Sequence, residues 1–245
     1  MRGSSLFSWS ALTWSARAWP RLTCSALTCL ALTGCGGTPV EQVASTAQLA
    51  DDLPVTPETD AADWPWWRGT ERNNTASGDL APIKWSKTDN IAWKAEIPGR
   101  GHASPCLWGN RIFLSSADET AKTKFVLCLN RETGEQLWKT TVHDGGFLHV
   151  HHKNSQASAT PVCDGTNVYV PFLVKKDGQD GLWVTALDLD GKIVWQESAG
   201  PFSSKHGYGS SPAIYKSLLI IAGDNGGSGF LTALDRETGS VHWRV

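Results

Sequence analysis

Leu129–Trp138 reads LNRETGEQLW, and closely similar stretches follow as Leu187–Trp195, LDLDGKIVW, and Leu234–Trp243, LDRETGSVHW. In each, a Trp stands four residues after a turn Gly: Gly134 and Trp138, Gly191 and Trp195, Gly239 and Trp243. Upstream of each lies a Pro after a small hydroxyl residue, in Ser104-Pro105, Thr160-Pro161 and Ser211-Pro212, preceding its Trp by 33, 34 and 31 residues. The whole unit therefore repeats, and not only a hairpin. Successive Trp are 57 and 48 residues apart, close to the period of β-propeller blades.

Within each unit, four runs of β-branched and aromatic residues are separated by turn residues. The spacing predicts strands at Ala103–Trp108, Arg111–Ser115, Lys124–Leu129 and Gln136–Val142 for the first unit. The second predicts Ala157–Cys163, Asn167–Leu173, Leu182–Leu187 and Ile193–Glu197, and the third Ser210–Tyr215, Leu218–Ala222, Phe230–Leu234 and Val241–Val245. Four short antiparallel strands make one blade. Asn130, Asp188 and Asp235 accept backbone N–H groups inside the turn, and the Gly supplies the positive φ that closes it. The Trp after the turn is expected on the outer strand, covering the junction with the next blade. The fold expected is all-β, a partial propeller of about three blades.

Asn90–Ile97, NIAWKAEI, carries Trp93 and resembles the Trp-bearing outer strand, but no repeat stands in front of it. It predicts an orphan outer strand contributed by the N-terminus to a last blade, which the sequence lacks. Propellers close with 4–8 blades, so three units predict a truncated or split reading frame, the rival being a ring completed by self-association. An open wedge would expose two apolar blade faces. Asp63–Gly69, DWPWWRG, holds three Trp in four positions and predicts an irregular segment covering the core.

The net charge of −2 hides an asymmetry. Residues 1–34 hold Arg2, Arg17 and Arg21 and no acid, leaving 19 basic and 24 acidic residues in the remainder. That acidic balance excludes a nucleic-acid surface. The apolar run Leu22–Leu32 is too short to span a bilayer and reads as an export signal. It ends in Leu32-Thr33-Gly34-Cys35, which resembles a bacterial lipobox with Cys35 as the lipidated residue. Residues 35–62 are acidic and Pro-containing without a basic residue, and read as a flexible tether. Residues 63–245 are the folded part, held off the membrane through the lipid anchor.

His149, His151 and His152 form the cluster with metal-ligand composition. Alternation would put His149 and His151 on one face, with His206 or Asp224 joining from the next blade, and imidazole suits zinc or copper. His102 and His143 read as ordinary loop residues. Once Cys24 and Cys29 leave with the signal, Cys106, Cys128 and Cys163 read as small buried hydrophobes. Cys106 and Cys128, on first and third strands, would lie about 10 Å apart, too far for a disulfide. Asn225–Gly229, NGGSG, joins two strands and precedes no helix, so it is no phosphate cradle. No nucleophile-elbow sequence of the GxSxG kind is present.

The strand ending in Leu-Asp, the Thr-Gly turn and the Gly-x-x-x-Trp strand resemble pyrroloquinoline-quinone-like (PQQ-like) β-propeller repeats over residues 63–245. Asn154–Gly165, Gly207–Pro212 and Trp64–Gly69 are similar to secreted lipoproteins of planctomycete type. A more distant resemblance is to the lipoprotein of the outer-membrane barrel-assembly machinery. Among its enzymes the resemblance implies a quinone on a Trp, a calcium held by Glu, Asn and Asp, an Asp base and often an adjacent Cys pair. This sequence has no adjacent Cys pair and matches no such constellation, so no cofactor and no catalytic residue is expected. The function expected is a non-catalytic protein-binding scaffold at the cell envelope, bound to other envelope proteins or peptides. The rivals are a quinone-dependent dehydrogenase and a metal-binding module using the His cluster.

Overall fold

In the computed structural model, residues 56–78, 82–224 and 228–245 are described. The export signal, Cys35 and most of the tether lie outside them, as does most of the Gly-rich loop at 225–227. Twelve strands and no helix are found among the described residues. They form three four-stranded antiparallel meanders, ordered β1-β2-β3-β4, β5-β6-β7-β8 and β9-β10-β11-β12.

The first blade comprises β1 (Cys106–Trp108), β2 (Arg111–Asp118), β3 (Thr123–Asn130) and β4 (Gln136–Asp144). The second comprises β5 (Val162–Cys163), β6 (Asn167–Lys176), β7 (Gln179–Asp188) and β8 (Ile193–Pro201). The third comprises β9 (Ala213–Tyr215), β10 (Leu218–Ala222), β11 (Leu231–Asp235) and β12 (Val241–Arg244). All twelve blade strands expected from the sequence form, with shifted bounds, while Asn90–Ile97 does not join a ladder. The inner strands are shorter than their apolar runs because Pro105, Pro161 and Pro212 lack the N–H that pairing needs.

Each outer strand carries a β-bulge directly after its turn. Leu129 pairs with Gln136 while Cys128 pairs with Trp138, Leu187 with Ile193 while Ala186 pairs with Trp195, and Leu234 with Val241 while Ala233 pairs with Trp243. Leu137, Val194 and His242 are the skipped residues. A bulge breaks the two-residue alternation and re-aims the side chain that follows. Here it pushes Leu137 and Val194 outward, 48% and 49% exposed, and turns the Trp ring onto the neighbouring blade.

The ring then covers the turn Gly of that blade. A Cβ at Gly191 would stand 2.6 Å from the Trp138 ring, and one at Gly239 would stand 2.7 Å from Trp195. Both Gly have positive φ, 85° and 77°, so a side chain would be strained and would also collide. The indole Nε1 donates to the adjacent turn carbonyl, Trp138 to Leu189 O and Trp195 to Arg236 O, each at 2.9 Å. Trp93 does the same to the first blade, over Gly134 and donating to Arg131 O at 2.9 Å.

Asn90–Ile97 itself pairs with no strand among the described residues. It lies extended without a ladder because no third strand runs beside it there. Trp93 and Ala95 instead cover Phe125, Leu127 and Leu129, so one of the two blade faces expected to be bare is covered. On the third blade Tyr215, Leu231, Val241 and Val245 are exposed.

Phe113, Val126, Val168, Val170 and Phe172 fill the space between the first two blades. Tyr169, Leu182, Val184, Leu219 and Leu234 fill that between the second and third. The second junction is also latched by charge. Arg236 Nη1 meets Asp164 Oδ2 at 2.6 Å with both side chains nearly buried, and the Tyr169 hydroxyl donates to the same oxygen at 2.8 Å. Burial and the Asp164 charge hold that phenol protonated far above its ordinary range.

The Trp-rich segment crosses the inner strands. Trp64 pairs with Leu107, Cys163 N–H donates to Pro65 O at 2.8 Å, and Arg72 donates to Ile214 O at 3.1 Å. Trp66 is buried in the core under the Arg72 guanidinium, 4.9 Å from the ring centre, while Trp67 is exposed. The segment thus runs along the free edges of β1, β5 and β9, and through Trp66 it also covers the core, the part that the sequence predicts. Cys106 donates its thiol to Pro65 O at 3.1 Å. Cys106, Cys128 and Cys163 are free and buried, with burial raising all three thiols, Cys128 to about 11.

Gly191→Val adds both the positive-φ strain and the clash with Trp138. It should cost about 2–4 kcal/mol, read as a fall in the urea midpoint of unfolding. A loss below about 0.5 kcal/mol, the ordinary surface range, would show that the ring does not depend on that turn.

Candidate functional site

An antiparallel meander alternates its connections between two ends. One end gathers the β1–β2 and β3–β4 turns and their counterparts, where the Trp rings dock. The other gathers the long connections 145–161 and 202–212, which leave β4 and β8 for the next inner strand. These long connections carry the chemistry-bearing residues.

Their feet are fixed by the hydroxyl residues before each Pro. Ser104 N–H donates to Thr160 Oγ1 at 3.2 Å, and Thr160 N–H donates to Ser211 Oγ at 3.1 Å. The hydroxyls of Thr160 and Ser211 thus each tie the foot of their own inner strand to that of the blade before it. Higher up, Asn154 Nδ2 donates to His206 O at 2.7 Å, and Asn154 Oδ1 accepts from Ser155 N at 2.8 Å and from the Ser158 hydroxyl. Gly207, at φ 90°, lets Val150 and Asn154 approach its backbone. Arg100 donates to His152 O at 2.7 Å and meets Glu119 at 3.7 Å.

The imidazoles converge on this frame. His151 lies 4.2 Å from His152 and 5.6 Å from His206 between ring centres. Partial burial, then His152, His206 and His149, hold its pKa below the ordinary imidazole range. Of the two residues expected from the next blade, His206 or Asp224, His206 stands beside His151. Asp224 remains with its own loop, its carboxylate beside Gly229. No three His, Cys, Asp or Glu among the described residues are placed to hold one metal ion. His151 Nδ1 accepts the Lys153 N–H at 3.2 Å, so the neutral ring keeps its proton on Nε2. That nitrogen is then a donor and not a metal ligand.

His143 departs from the loop placement expected of it. It is buried on β4, edge-on to Phe172 at 5.7 Å, with Nε2 unpartnered. Burial, then Lys124 and Lys176, lowers its pKa to about 3. Lys124 on β3 is fully buried, its ammonium 4.1 Å from the Phe147 ring centre and donating to Gly146 O at 3.2 Å. Burial lowers its pKa to about 8. A depressed amine beside a neutral imidazole is a base pair in principle. Enclosed between Phe147 and Phe172, however, neither group meets solvent or substrate. His102, by contrast, is a loop residue, its N–H donating to Ala157 O at 2.8 Å.

A cavity of about 440 Å³ opens at the docking end between residues 61–77 and β1, with Asp63 and Arg131 in its wall. Both charges are already engaged. Asp63 accepts from Gly109 N and Asp60 N, and Arg131 donates to Ala62 O and Gly109 O. The cavity offers no free acid or base.

The family described as "Outer membrane protein assembly factor BamB" matches residues 86–245, more than half of the chain. The chain belongs to this family. None of the curated proteins compared matches it. Among solved structures it is similar to the quinohemoprotein alcohol dehydrogenase from Comamonas testosteroni, at 23% identity and a TM-score of 0.52, covering 75% of this chain and 27% of that one. The chain therefore spans about a quarter of that enzyme, and the likeness concerns the fold.

The quinone and calcium that the repeat class implies for its enzymes do not fit these residues. Residues 64–72 occupy the inner-strand edges, and the three free thiols lie on separate strands. The described residues contain no set of three carboxylate, thiol or imidazole ligands for one ion.

Sequence reasoning missed Lys124, His143 and the positioning role of Asn154. The apolar neighbours of Lys124 in TKFVLCL were its signal: a Lys inside a buried run either pairs or sheds its charge. The unfolded chain binds protons to Lys124 up to about pH 10.5 and the fold only to about 8, so its penalty is full at neutral pH and vanishes above that window. Lys124→Met should raise stability at pH 7 by about 1–2 kcal/mol, since part of the roughly 3 kcal/mol shift is offset by the lost Gly146 and Phe147 contacts. For His143 the unfolded chain binds its proton near 6.5 and the fold only near 3, so stability falls as pH drops through that interval. His143→Leu should flatten this acid limb in melting temperature against pH. An unchanged limb would place the acid sensitivity elsewhere.

Proposed function

We propose that this chain is an exported, lipid-anchored and non-catalytic scaffold that binds other proteins or peptides at the cell envelope. The observation that carries the reading is the frame under the long connections. Loops 145–161 and 202–212 are tied blade to blade through Asn154 and the hydroxyl residues, yet His149, His152, Lys153, Lys205 and His206 are exposed. A rigid base with exposed polar side chains suits recognition, because little ordering entropy is lost on binding. The two bases with depressed pKa inside the blades, Lys124 and His143, are buried, which argues against proton-transfer chemistry. The family is named for an outer-membrane assembly factor, which supports protein partners and an outer-membrane or periplasmic address. Cys35, with small residues before it, supplies the anchor.

A photo-crosslinking residue at Lys153 or Lys205 in the full chain, expressed in cells, should give discrete protein adducts, and one at Glu132 on the docking end should give few. Adducts from neither end, or dye reduction by the full chain with added quinone and calcium, would sink the reading. Cys35→Ser should shift the protein from the membrane to the soluble fraction on cell fractionation. Unchanged membrane retention would remove Cys35 as the anchor.

A further inference from the structure

We infer that the imidazole- and lysine-bearing connections bind an acidic, carboxylate-rich peptide segment of the partner, and bind it more tightly as the pH falls below neutrality. This rests on the scaffold reading and names the chemistry of its partner. Residues 145–163 and 202–212 contain His149, His151, His152, Lys153, Lys205 and His206 and not one Asp or Glu. Apart from the buried thiol of Cys163 and the buried phenol of Tyr208, every titratable group on these two connections is therefore basic, although the chain as a whole is acidic.

The neighbouring elements offset the charge of Lys153 and Lys205 and leave only the imidazoles unmatched. Arg100, from the segment before β1, is spent on His152 O and Glu119, and Glu119 on Arg100. Beside the β6–β7 turn, Asp180 on β7 pairs with Lys175 on β6 at 3.7 Å, and Asp177 in the turn follows Lys176. From the β2–β3 turn Lys122 leans on Phe147, 5.3 Å from the ring centre. Asp118 Oδ1 there accepts from Thr120 N and Ala121 N, and Lys124 below is buried. Asp144 precedes the first connection, and Asp224 stands on the β10–β11 connection, joined to no imidazole by an ion pair among the described residues. Apart from the imidazoles, acids and bases at this end come close to cancelling. The imidazoles decide its sign.

Geometry separates this ligand from a metal ion. Lys153 N–H occupies His151 Nδ1, so the ring presents Nε2–H, which a carboxylate accepts and a cation must displace. Lys153 and Lys205 repel a cation and attract an anion. Partial burial and the neighbouring imidazoles oppose the charged form of His151, and its protonation on Nδ1 also gives up the Lys153 N–H. A carboxylate supplies the counter-charge that offsets both costs, which links proton uptake to binding of the acidic segment. A run of alternating acidic residues places carboxylates every second position, about 7 Å apart in extended chain, and so engages imidazole and lysine positions on both connections together.

The test is fluorescence anisotropy of the full chain with a short fluorescein-labelled peptide of alternating Glu and Gly, against the same peptide with Lys for Glu. Affinity for the Glu peptide should rise at least about tenfold from about pH 7.5 to about pH 5.5, the interval in which imidazole charges. The Lys peptide should not bind. A variant carrying His151→Gln, His152→Gln and His206→Gln should lose the pH dependence while keeping its melting temperature. Lys153→Gln with Lys205→Gln should weaken binding at both pH values and keep the pH dependence. Equal affinity at the two pH values, or an unchanged response in the triple variant, overturns the inference. So does zinc chloride raising the melting temperature of the wild type but not of the triple variant while the Glu peptide fails to bind. If crosslinks at Lys153 and Lys205 persist without peptide binding, the acidic partner fails and the scaffold stands.

Discussion

The structure depends on one contact made three times: a Trp ring laid on the turn Gly of the next blade, with the indole N–H given to a carbonyl of that turn. Trp93, Trp138 and Trp195 make it on Gly134, Gly191 and Gly239. The contact needs the Gly that leaves room for the ring and the Asx residue that folds the turn, and for Trp138 and Trp195 also the bulge that aims the ring. A blade that lost any of the three would still pair its own strands, but would no longer register against its neighbour. Sheet pairing fixes each blade, and the Trp contact fixes the order of blades.

At the inner end a second, weaker device does similar work. The residues before Pro105, Pro161 and Pro212 join successive inner strands by two N–H···O bonds, from Ser104 N to Thr160 Oγ1 and from Thr160 N to Ser211 Oγ. Short inner strands with Pro at their start would otherwise leave polar backbone edges open. Residues 64–72 close those edges, with Trp66 sunk into the core and Pro65 O receiving groups from both Cys106 and Cys163. The Trp-rich segment is thus part of the sheet system, even though it contains only one bridge residue.

The strands, the turns and the rank of the repeat Trp were legible because each rests on local rules: alternation, Asx and Gly in turns, a large aromatic at a fixed offset. What escaped depends on distance in space. The bulges at Leu137, Val194 and His242 leave no mark on alternation, since Leu and Val read as inward residues. Asn90–Ile97 has the pattern of a strand, yet pairing is decided by a neighbour and not by the segment, and only Trp93 and Ala95 found theirs. His143 looked like a loop residue because the apolar run stops at Val142, while the ladder continues to Asp144. In the His cluster the sequence could place His206 near His151, but not the Lys153 N–H on Nδ1 that turns the ring into a donor.

Burial divides the ionisable groups into two populations. Lys124 and His143 lie between blades, where protonation is opposed by the packing and is felt as stability. The imidazoles of the long connections lie on a frame that holds the backbone through Asn154, His206 O and the hydroxyl ladder, so their titration is felt at the surface. Since the two connections carry no carboxylate of their own, charge taken up there is not neutralised within the fold. A counter-charge has to come from outside. The division matters because a surface that changes sign with pH can act as a recognition element only if the framework beneath it holds over the same interval. The indole rings, the turn Gly and the accepting carbonyls of the Trp-to-turn contacts do not titrate, and so the contacts that order the blades do not answer to the imidazoles of the long connections.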